Sequence, residues 1–377
     1  MEIAKTAFII TRLELGGAQK SVLYTAANID KERFESFLLC GPGGYLDNSS
    51  KETIKNIFFI PSLQRAVNPI KDIRAFKEIR RALKEIQPQI IHTNSSKAGI
   101  LGRFAARFYK NAKVVHTVHG FPFNDYQNPI ARRFYMFLEK ICAGFTDILI
   151  FVSQHDMETA FRLKIAPPQK CRLIRAGVEL KTKKDFESFD KAAKLKTLGL
   201  TPENKIIVCP ANLKPQKNPL DMARAADIVC KDFPQAVFLY LGTGPLEAET
   251  KALIAELNLQ DNFKLLGHRN DVAELLACAD IFALSSLWEG LPMALIEALS
   301  MGVPAVCYDA GGIAEVLNET NGFIAPRGYY QQLAASIMEI LSGRFTFNTN
   351  AQNLAEFDIK HMLKQQEDLY QELLEKE

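Results

Sequence analysis

Residues 205–244 read KIIVCPANLKPQKNPLDMARAADIVCKDFPQAVFLYLGTG. The stretch opens on a continuous apolar run, KIIVCP, crosses a polar loop, and takes up helical spacing in PLDMARAADIVCKDF. It closes on a second apolar run, VFLYLG, that ends in glycine. An apolar run without alternation fits a strand buried on both faces, and a helix between two such runs fits a parallel pair. The same unit recurs in both directions. Upstream lie AKTAFII, SFLLC, NIFFI, QIIH, KVVHTV and ILIFVS; downstream lie FKLLG, IFALS and AVCYD. Helical patterns such as KDIRAFKEIRRALKEI, KAGILGRFAARFYK, DVAELLACAD and PMALIEALSMG separate them. The expected class is α/β, with parallel sheets covered by helices on both faces.

At 377 residues the chain exceeds one ordinary domain, which holds roughly 100–200 residues. The polar stretch GVELKTKKDFESFDKAAKLKTLGL, residues 177–200, suits a linker and a lead-in helix between two strand series. The expectation is two Rossmann-like domains, residues 1–178 and 179–354, flanking a cleft, with a charged helix over 355–377. Hydrophobic content of 47% and charged content of 24% are ordinary for a soluble globular protein. The seven cysteines are scattered without a CxxC, which speaks against a disulfide framework or a zinc site and for a reducing compartment. Residues 3–10 read as a strand with no cleavage site behind them, and no apolar run approaches the roughly 18 residues of a membrane span. The expected location is the cytoplasm, at the cytoplasmic face of the inner membrane.

The net charge of +3 conceals an asymmetry. Residues 1–175 carry 27 Lys+Arg against 15 Asp+Glu, a net of +12, whereas the remainder carries 19 against 28, a net of −9. A basic first half suits anionic lipid headgroups or a phosphorylated substrate. Its cations form no nucleic-acid-binding motif, so nucleic acid is not an expected partner. HExxH, HxxEH, GxSxG and GxxxxGK[ST] are absent, leaving hydrolase and P-loop readings without footing. LGG at 15–17 is not GxGxxG, so a nicotinamide site is unsupported. No DxD occurs, and no metal or cofactor is expected.

Ligands of parallel α/β sheets bind outside the carboxyl ends of the strands. Those ends carry Gly16 and Gly17, His92 and Asn94, His119 and Gly120, Ser153, Lys217, Gly242 and Gly244, Gly267, Glu289, and Gly311 and Gly312. In EGLPMALIE, residues 289–297, Pro292 suits the first turn of a helix. The amides of Met293 and Ala294, with Leu295 in the same turn, would then meet a phosphate at the positive end of the dipole. Glu289 and Glu297 would flank the diphosphate, each able to accept hydrogen bonds from a sugar diol. Taken alone, E-x7-E equally describes a dipole-serving glutamate and a surface one. Lys217 is a point charge within reach of a diphosphate or a solvated loop lysine. His116 and His119 leave a strand on opposite faces, which disfavours a two-histidine metal site. His116 reads as a core residue and His119 as a cleft residue.

Together these residues resemble the retaining glycosyltransferases of family 4, which have the GT-B fold. The ordered match comprises LGGAQ (15–19), HTNSSKAGILGRFAAR (92–107), VHTVHGFPF (115–123), FVSQHD (151–156), IRAGVEL (174–180), NLKPQKN (212–218) and LGTGPLE (241–247). It continues through LGHRNDVAELLACADIFALSSLWEGLPMALIEALSMGVPAV (266–306), GGIAEVL (311–317) and NGFIAP (321–326). The resemblance implies a nucleotide-sugar donor, with UDP as the expected nucleotide, and retention of configuration without a metal. It places Glu289 on the transferred sugar, Glu297 on the ribose, and Met293, Ala294 and Lys217 on the diphosphate. Arg269 would border the nucleobase through its backbone, Gly16 and Gly17 would let the first domain close over the donor, and His119 would lie by the sugar. The last helix would cross back to the first domain. One departure is Asn212, where the family usually has an arginine; Lys217 and the helix terminus would then suffice, or Arg12 or Arg175 would contribute. The HTNSSKAGILGR and TVHGFPF segments look like those of enzymes extending lipid-linked oligosaccharides, so the expected acceptor is a glycan or a polyprenyl-diphosphate-linked sugar. A nucleotide-sugar epimerase of the same fold and a non-catalytic sugar-nucleotide-binding protein are the alternatives.

Overall fold

In the first strand, β1 (Ala4–Arg12), Phe8 and Ile10 join one hydrophobic cluster while Ala7 and Ile9 join another. This is the period-2 alternation of a strand buried on both faces. The computed structural model describes residues 3–109, 111–347 and 354–375. It divides into two units, Met1–Gly177 together with Glu356–Glu377, and Val178–Ala355.

In the first unit β1 is followed by α1 (Gly17–Asn28), β2 (Phe34–Gly41), α2 (Asp47–Thr53), β3 (Ile57–Phe59), α3 (Pro69–Ile86), β4 (Ile90–Asn94) and α4 (Ser96–Ala106). Then come β5 (Lys113–Val118), α5 (Pro129–Gly144), β6 (Ile148–Phe151), α6 (Gln154–Arg162) and β7 (Cys171–Leu173). The strands form a parallel sheet in the order β3-β2-β1-β4-β5-β6-β7. Ala75 and Ile79 of α3 and Ala98 and Ala105 of α4 cover one face. Val22 and Ala26 of α1 cover the other, with Ile359, Met362 and Tyr370 of the last helix, α13 (Ile359–Glu375). A Cβ on Gly177 would lie 2.5 Å from the Ile359 Cα, so this close passage requires glycine. Helix α3 shows its sequence signals directly. Asn68 caps it by accepting from the Lys71 N–H at 3.1 Å, Pro69 opens it, and Gln87 closes it in the left-handed conformation.

The second unit contains α7 (Lys191–Thr197), β8 (Lys205–Pro210), α8 (Pro219–Asp232), β9 (Ala236–Leu241), α9 (Glu247–Glu256), β10 (Phe263–Leu265) and α10 (Val272–Cys278). It continues with β11 (Ile281–Leu284), α11 (Met293–Ser300), β12 (Ala305–Tyr308), β13 (Gly322–Ala325) and α12 (Tyr330–Leu341). Its sheet is also parallel, in the order β10-β9-β8-β11-β12-β13.

The architecture is the expected α/β class with two parallel sheets. Two strands escape the sequence pattern. β7 (CRL) lies in a stretch punctuated by Lys170, Arg172 and Arg175, and β13 (GFIA) opens on Gly322, so neither reads as a strand, whereas the equally short edge strands β3 and β10 do. The helical run expected through residue 110 stops at Ala106, where the Phe108 and Tyr109 amides turn back onto the Ala105 and Ala106 carbonyls. Of the helix expected over 355–377, residues 376–377 lie outside the described residues. No described helix is long and apolar enough to cross a membrane.

His92 sits inside β4 and not at the decorated edge where the sequence pattern puts it. Its Nδ1 meets the Tyr370 hydroxyl at 2.6 Å and its Nε2 the Thr117 hydroxyl at 2.7 Å, which ties α13 to the sheet. Burial, helped by nearby His119, lowers the His92 pKa to about 3. His116 is also a core residue, bonded at Nδ1 to the Thr93 hydroxyl and carbonyl at 2.9 and 3.0 Å. Burial and the Arg103 charge push its pKa well down. Burial lowers His119 to about 4.

All three imidazoles are therefore neutral in the folded chain, whereas the unfolded chain protonates near pH 6.5. Their contribution to stability is fully present above about pH 6.5 and is lost as pH falls from there toward 4 and 3, by about 1.4 kcal/mol per pH unit for each proton taken up. The expected result is a melting temperature for the first unit that is level above neutrality and declines steeply below about pH 6. A melting temperature constant from pH 7 down to about pH 4.5 would contradict it.

Candidate donor site

Two loops at the carboxyl ends of β8 and β11 carry the charged groups singled out in the second unit. They are stitched together along their length. The Leu287 N–H donates to the Gln216 carbonyl at 2.8 Å, and the Gln216 side-chain amide donates to the Trp288 carbonyl at 2.8 Å. The Ser285 hydroxyl lies 3.0 and 2.9 Å from the Lys217 and Asn218 carbonyls. At the end of this seam Lys217 Nζ donates to Glu289 Oε1 at 2.5 Å, with side chains only 17% and 8% exposed. Behind Lys217, Asn218 takes a left-handed turn and Pro219 opens α8. Asp221 fixes the turn by accepting from the Asn218 amide at 2.7 Å, Arg224 at 3.0 Å and the Tyr308 hydroxyl at 3.0 Å.

Gly311 supports Glu289 from the other side. It has φ +57, and a Cβ there would lie 1.9 Å from the Glu289 carbonyl oxygen. The neighbouring Gly312 N–H donates to the Gly290 carbonyl at 2.9 Å. Gly311→Ala is expected to push the Glu289 backbone aside and lower turnover by roughly a hundredfold, since displacements near 1 Å at a reacting centre cost that much. Steady-state kinetics check it, and an unimpaired variant would show that the carboxylate's position is not set here.

Helix α11 begins one residue later than its sequence suggests. Pro292 precedes the helix with ψ 94, and its carbonyl accepts from the Leu295 and Ile296 amides at 3.0 and 3.4 Å. The Leu295 amide is thus used within the turn, and its side chain is fully buried. The amides of Met293 and Ala294 come before this ladder, at the positive end of the helix. Glu297 is the fifth helical residue and half-buried.

Gly242 lets β9 pass the end of β8, for a Cβ would meet the Ala211 carbonyl oxygen at 2.3 Å and the Asn212 Cα at 3.0 Å. Asn212 accepts from the Lys214 N–H at 2.8 Å through its carbonyl. Arg269 binds Asp271 bidentately at 2.8 and 2.5 Å. Those bonds, with Lys194 at 2.5 Å, hold the Asp271 carboxyl well below the usual carboxylate range. The two cations that could replace the missing arginine are engaged within the first unit. Arg12 binds the Gly43 carbonyl and Glu14, and Arg175 pairs with Glu356 at 3.1 Å and lies over the Phe357 ring.

In the first unit Gly16 caps α1 and Gly17 is its first residue. The helical ladder starts with the Lys20 N–H on the Gly16 carbonyl at 3.0 Å, so the amides of residues 17–19 precede it. His119 Nε2 lies 3.1 Å from Asn94 Oδ1, and Asn94 donates back to the His92 carbonyl at 3.4 Å. With that oxygen as acceptor, the proton sits on Nε2 and Nδ1 keeps its lone pair. Among the described residues no group of three or more His, Cys, Asp or Glu side chains is placed to hold a metal ion. Gln216 and Ser285 were not legible as site residues, because their side chains bond backbone across loops some 70 residues apart, nor was Asp221, whose carboxylate gathers the side chains of Asn218, Arg224 and Tyr308.

Two Rossmann-like units, each built on a parallel sheet covered by helices, are the architecture of the GT-B fold. Residues 190–357 match the family model described as glycosyl transferases group 1, and residues 15–182 the model described as Glycosyltransferase Family 4. The chain is 36% identical over 315 residues to the UDP-Gal:alpha-D-GlcNAc-diphosphoundecaprenol alpha-1,3-galactosyltransferase of Escherichia coli, covering 82% of this chain and 81% of that one. It is 27% identical over 239 residues, 61% of each chain, to a GDP-mannose-dependent monoacylated alpha-(1-6)-phosphatidylinositol monomannoside mannosyltransferase of Corynebacterium glutamicum. Among solved structures, Anabaena HepE in complex with UDP-glucose superposes with a TM-score of 0.80 at 20% identity over 99% of both chains. The chain belongs to the group 1, family 4 glycosyltransferases.

Proposed function

We propose that the chain transfers a hexose or N-acetylhexosamine from a UDP-sugar to a polyprenyl-diphosphate-linked glycan, with retention of configuration and without a metal ion. The observation that carries this is the Lys217–Glu289 pair, held by the Gln216 and Ser285 seam close to the start of α11. A diphosphate at that helix terminus would draw Lys217 away from Glu289. The lysine would then neutralise the leaving group, and the freed carboxylate would take hydroxyls of the sugar. Glu297, one turn into α11, is assigned to the ribose diol. The UDP and lipid-linked parts of the reading are supported by the name of the Escherichia coli relative. The roles of Gly16, Gly17, His119 and the Arg269 backbone rest on the family resemblance.

In the reaction the acceptor hydroxyl attacks the anomeric carbon on the face from which the diphosphate departs. The C–O bond to the diphosphate breaks as the new glycosidic bond forms, and the acceptor's proton passes to the leaving phosphate. Lys217 and the amides of Met293 and Ala294 meet the charge that builds there. His119, neutral at pH 7, offers a polar contact without adding positive charge. An acceptor embedded in a membrane implies peripheral work at the cytoplasmic face.

The test is to offer UDP-, GDP- and ADP-sugars with a polyprenyl-diphosphate-linked N-acetylglucosamine and follow acceptor-dependent nucleotide release. The product's anomeric configuration is then read by NMR, and the rate is repeated with a chelator. UDP release that needs no acceptor and yields an epimerised sugar would overturn the reading, and inverted product or chelator-sensitive turnover would overturn its stereochemical and metal clauses.

A further inference from the structure

The donor site leaves one face of the first unit without a role. Helices α3, α4 and α5 lie side by side. α3 and α4 share the cluster beneath them, and α4 is joined to α5 by the Arg103–Glu139 ion pair and the Phe104–Phe145 contact. The opposite faces of these helices are turned away from the sheet. On α5 that face presents Ile130, Phe134 and Phe137, 79%, 56% and 59% exposed, at the four- and three-residue steps of a single stripe. On α3 it presents Ile70 and Ile73, 67% and 58% exposed. Single exposed apolar residues are ordinary, but exposed apolar groups on the two helices that flank α4 mark a surface that meets something apolar.

The charge on the same layer is one-sided. Residues 65–144 hold 15 Lys+Arg and five Asp+Glu, a net of +10 out of the +12 of the first 175 residues. Four of the five acids are tied to partners: Glu139 to Arg103, Asp72 to Lys97, Asp125 to Arg132, and Glu78 to Ser62. Where α3 meets the end of α4, Lys77, Arg80, Arg81 and Lys84 line a depression of about 660 Å³ walled by Phe108 and Tyr109, with no acid in its lining. Arg80 is held there over the Phe108 ring, 4.7 Å from its centroid.

We propose that this face docks the enzyme on an anionic phospholipid bilayer. The α5 stripe and the start of α3 enter the interface, and the basic depression takes the phosphates of the headgroups. Aliphatic and phenylalanine side chains interleaved with lysine and arginine form the pattern of an interfacial helix. A nucleic acid would match the cations but leave Ile70, Ile73 and Ile130 without a counterpart. The inference rests on the lipid-linked acceptor proposed above, for it is the membrane that brings such an acceptor to the enzyme.

The test is co-sedimentation of the full chain with vesicles of phosphatidylcholine alone and of phosphatidylcholine with phosphatidylglycerol, at about 0.05 and about 0.5 M salt. Binding is expected to the mixed vesicles, weakening with salt. It should fall at least roughly tenfold both in Ile130→Ser/Phe134→Ser/Phe137→Ser and in Lys77→Glu/Arg81→Glu/Lys84→Glu. Turnover on a short, water-soluble acceptor should be unchanged in both variants. Vesicle binding retained in both variants, or equal binding of the wild type to both vesicle types, would overturn the docking face. Vesicle binding as expected, with no transfer to any polyprenyl-linked acceptor, would uphold the face and overturn the function from which it was argued.

Discussion

Lys217→Ala is expected to lower kcat by roughly 10²–10³-fold, the scale on which removal of one preorganised partner for developing negative charge acts. Two effects add. The leaving diphosphate loses its cation, and in this chain no arginine stands at position 212 to share the load. Glu289, whose side chain is only 8% exposed, also loses its counter-charge and becomes a buried, uncompensated carboxylate beside the site of bond cleavage. Lys217→Arg should recover only part of the rate, because a planar, delocalised fork does not reproduce a compact point charge. Stability provides an independent check: Lys217→Ala/Glu289→Gln should melt higher than Lys217→Ala, since the second change removes the orphaned charge. Full turnover in Lys217→Ala would remove the lysine from the machinery.

The second large effect is expected on stability. Glu139→Ala should destabilise the first unit by about 3–5 kcal/mol, because Arg103 is fully buried and would be left as an unpaired charge. Arg103 is already stretched thin: its Nε donates to the Gly99 carbonyl at 2.8 Å, one terminal nitrogen reaches Glu139 at 2.7 Å, and the other has no partner among the described residues. For a unit of this size the melting temperature should drop by roughly 6–20 °C. Arg103→Met/Glu139→Leu, which removes both charges and keeps the volume, should recover much of the loss. A melt unchanged by Glu139→Ala would mean that the charge finds water or another partner.

These two predictions differ in how far the sequence discloses them. Lys217 and Glu289 are both legible as strand-end residues with chemical reasons to be there, but their contact spans 72 positions and belongs to the fold. The same limit hides Gln216 and Ser285, since a glutamine or serine in a loop carries no periodicity. Gly311 was legible as a glycine at a strand end, while its purpose, to make room for the Glu289 carbonyl, needs both loops in place. Buried continuous strands such as KVVHTV and KIIVCP were legible to the residue, because burial on both faces keeps the run largely apolar, and the polar exceptions His116 and Thr117 are bonded inside the sheet. β7 and β13 were not, since Lys170, Arg172 and Arg175 punctuate the stretch around the one and Gly322 opens the other. The burial of His92 is hidden for a further reason: the group that makes it tolerable, the Tyr370 hydroxyl, comes from the far end of the chain.

The place of α13 has a consequence for how the protein is made. Tyr370 fits among Phe8, Phe34 and His92, and Met362 sits against Gly177, yet between Gly177 and Glu356 the ribosome must first deliver the whole second unit. At about 5–20 residues per second that is a delay of roughly 10–35 s, during which the first unit has emerged but lacks the helix that seals one side of its core. The order of completion is therefore the reverse of the order of synthesis: the unit begun first is finished last. A premature stop near the end of the message would leave the second unit whole and damage the first.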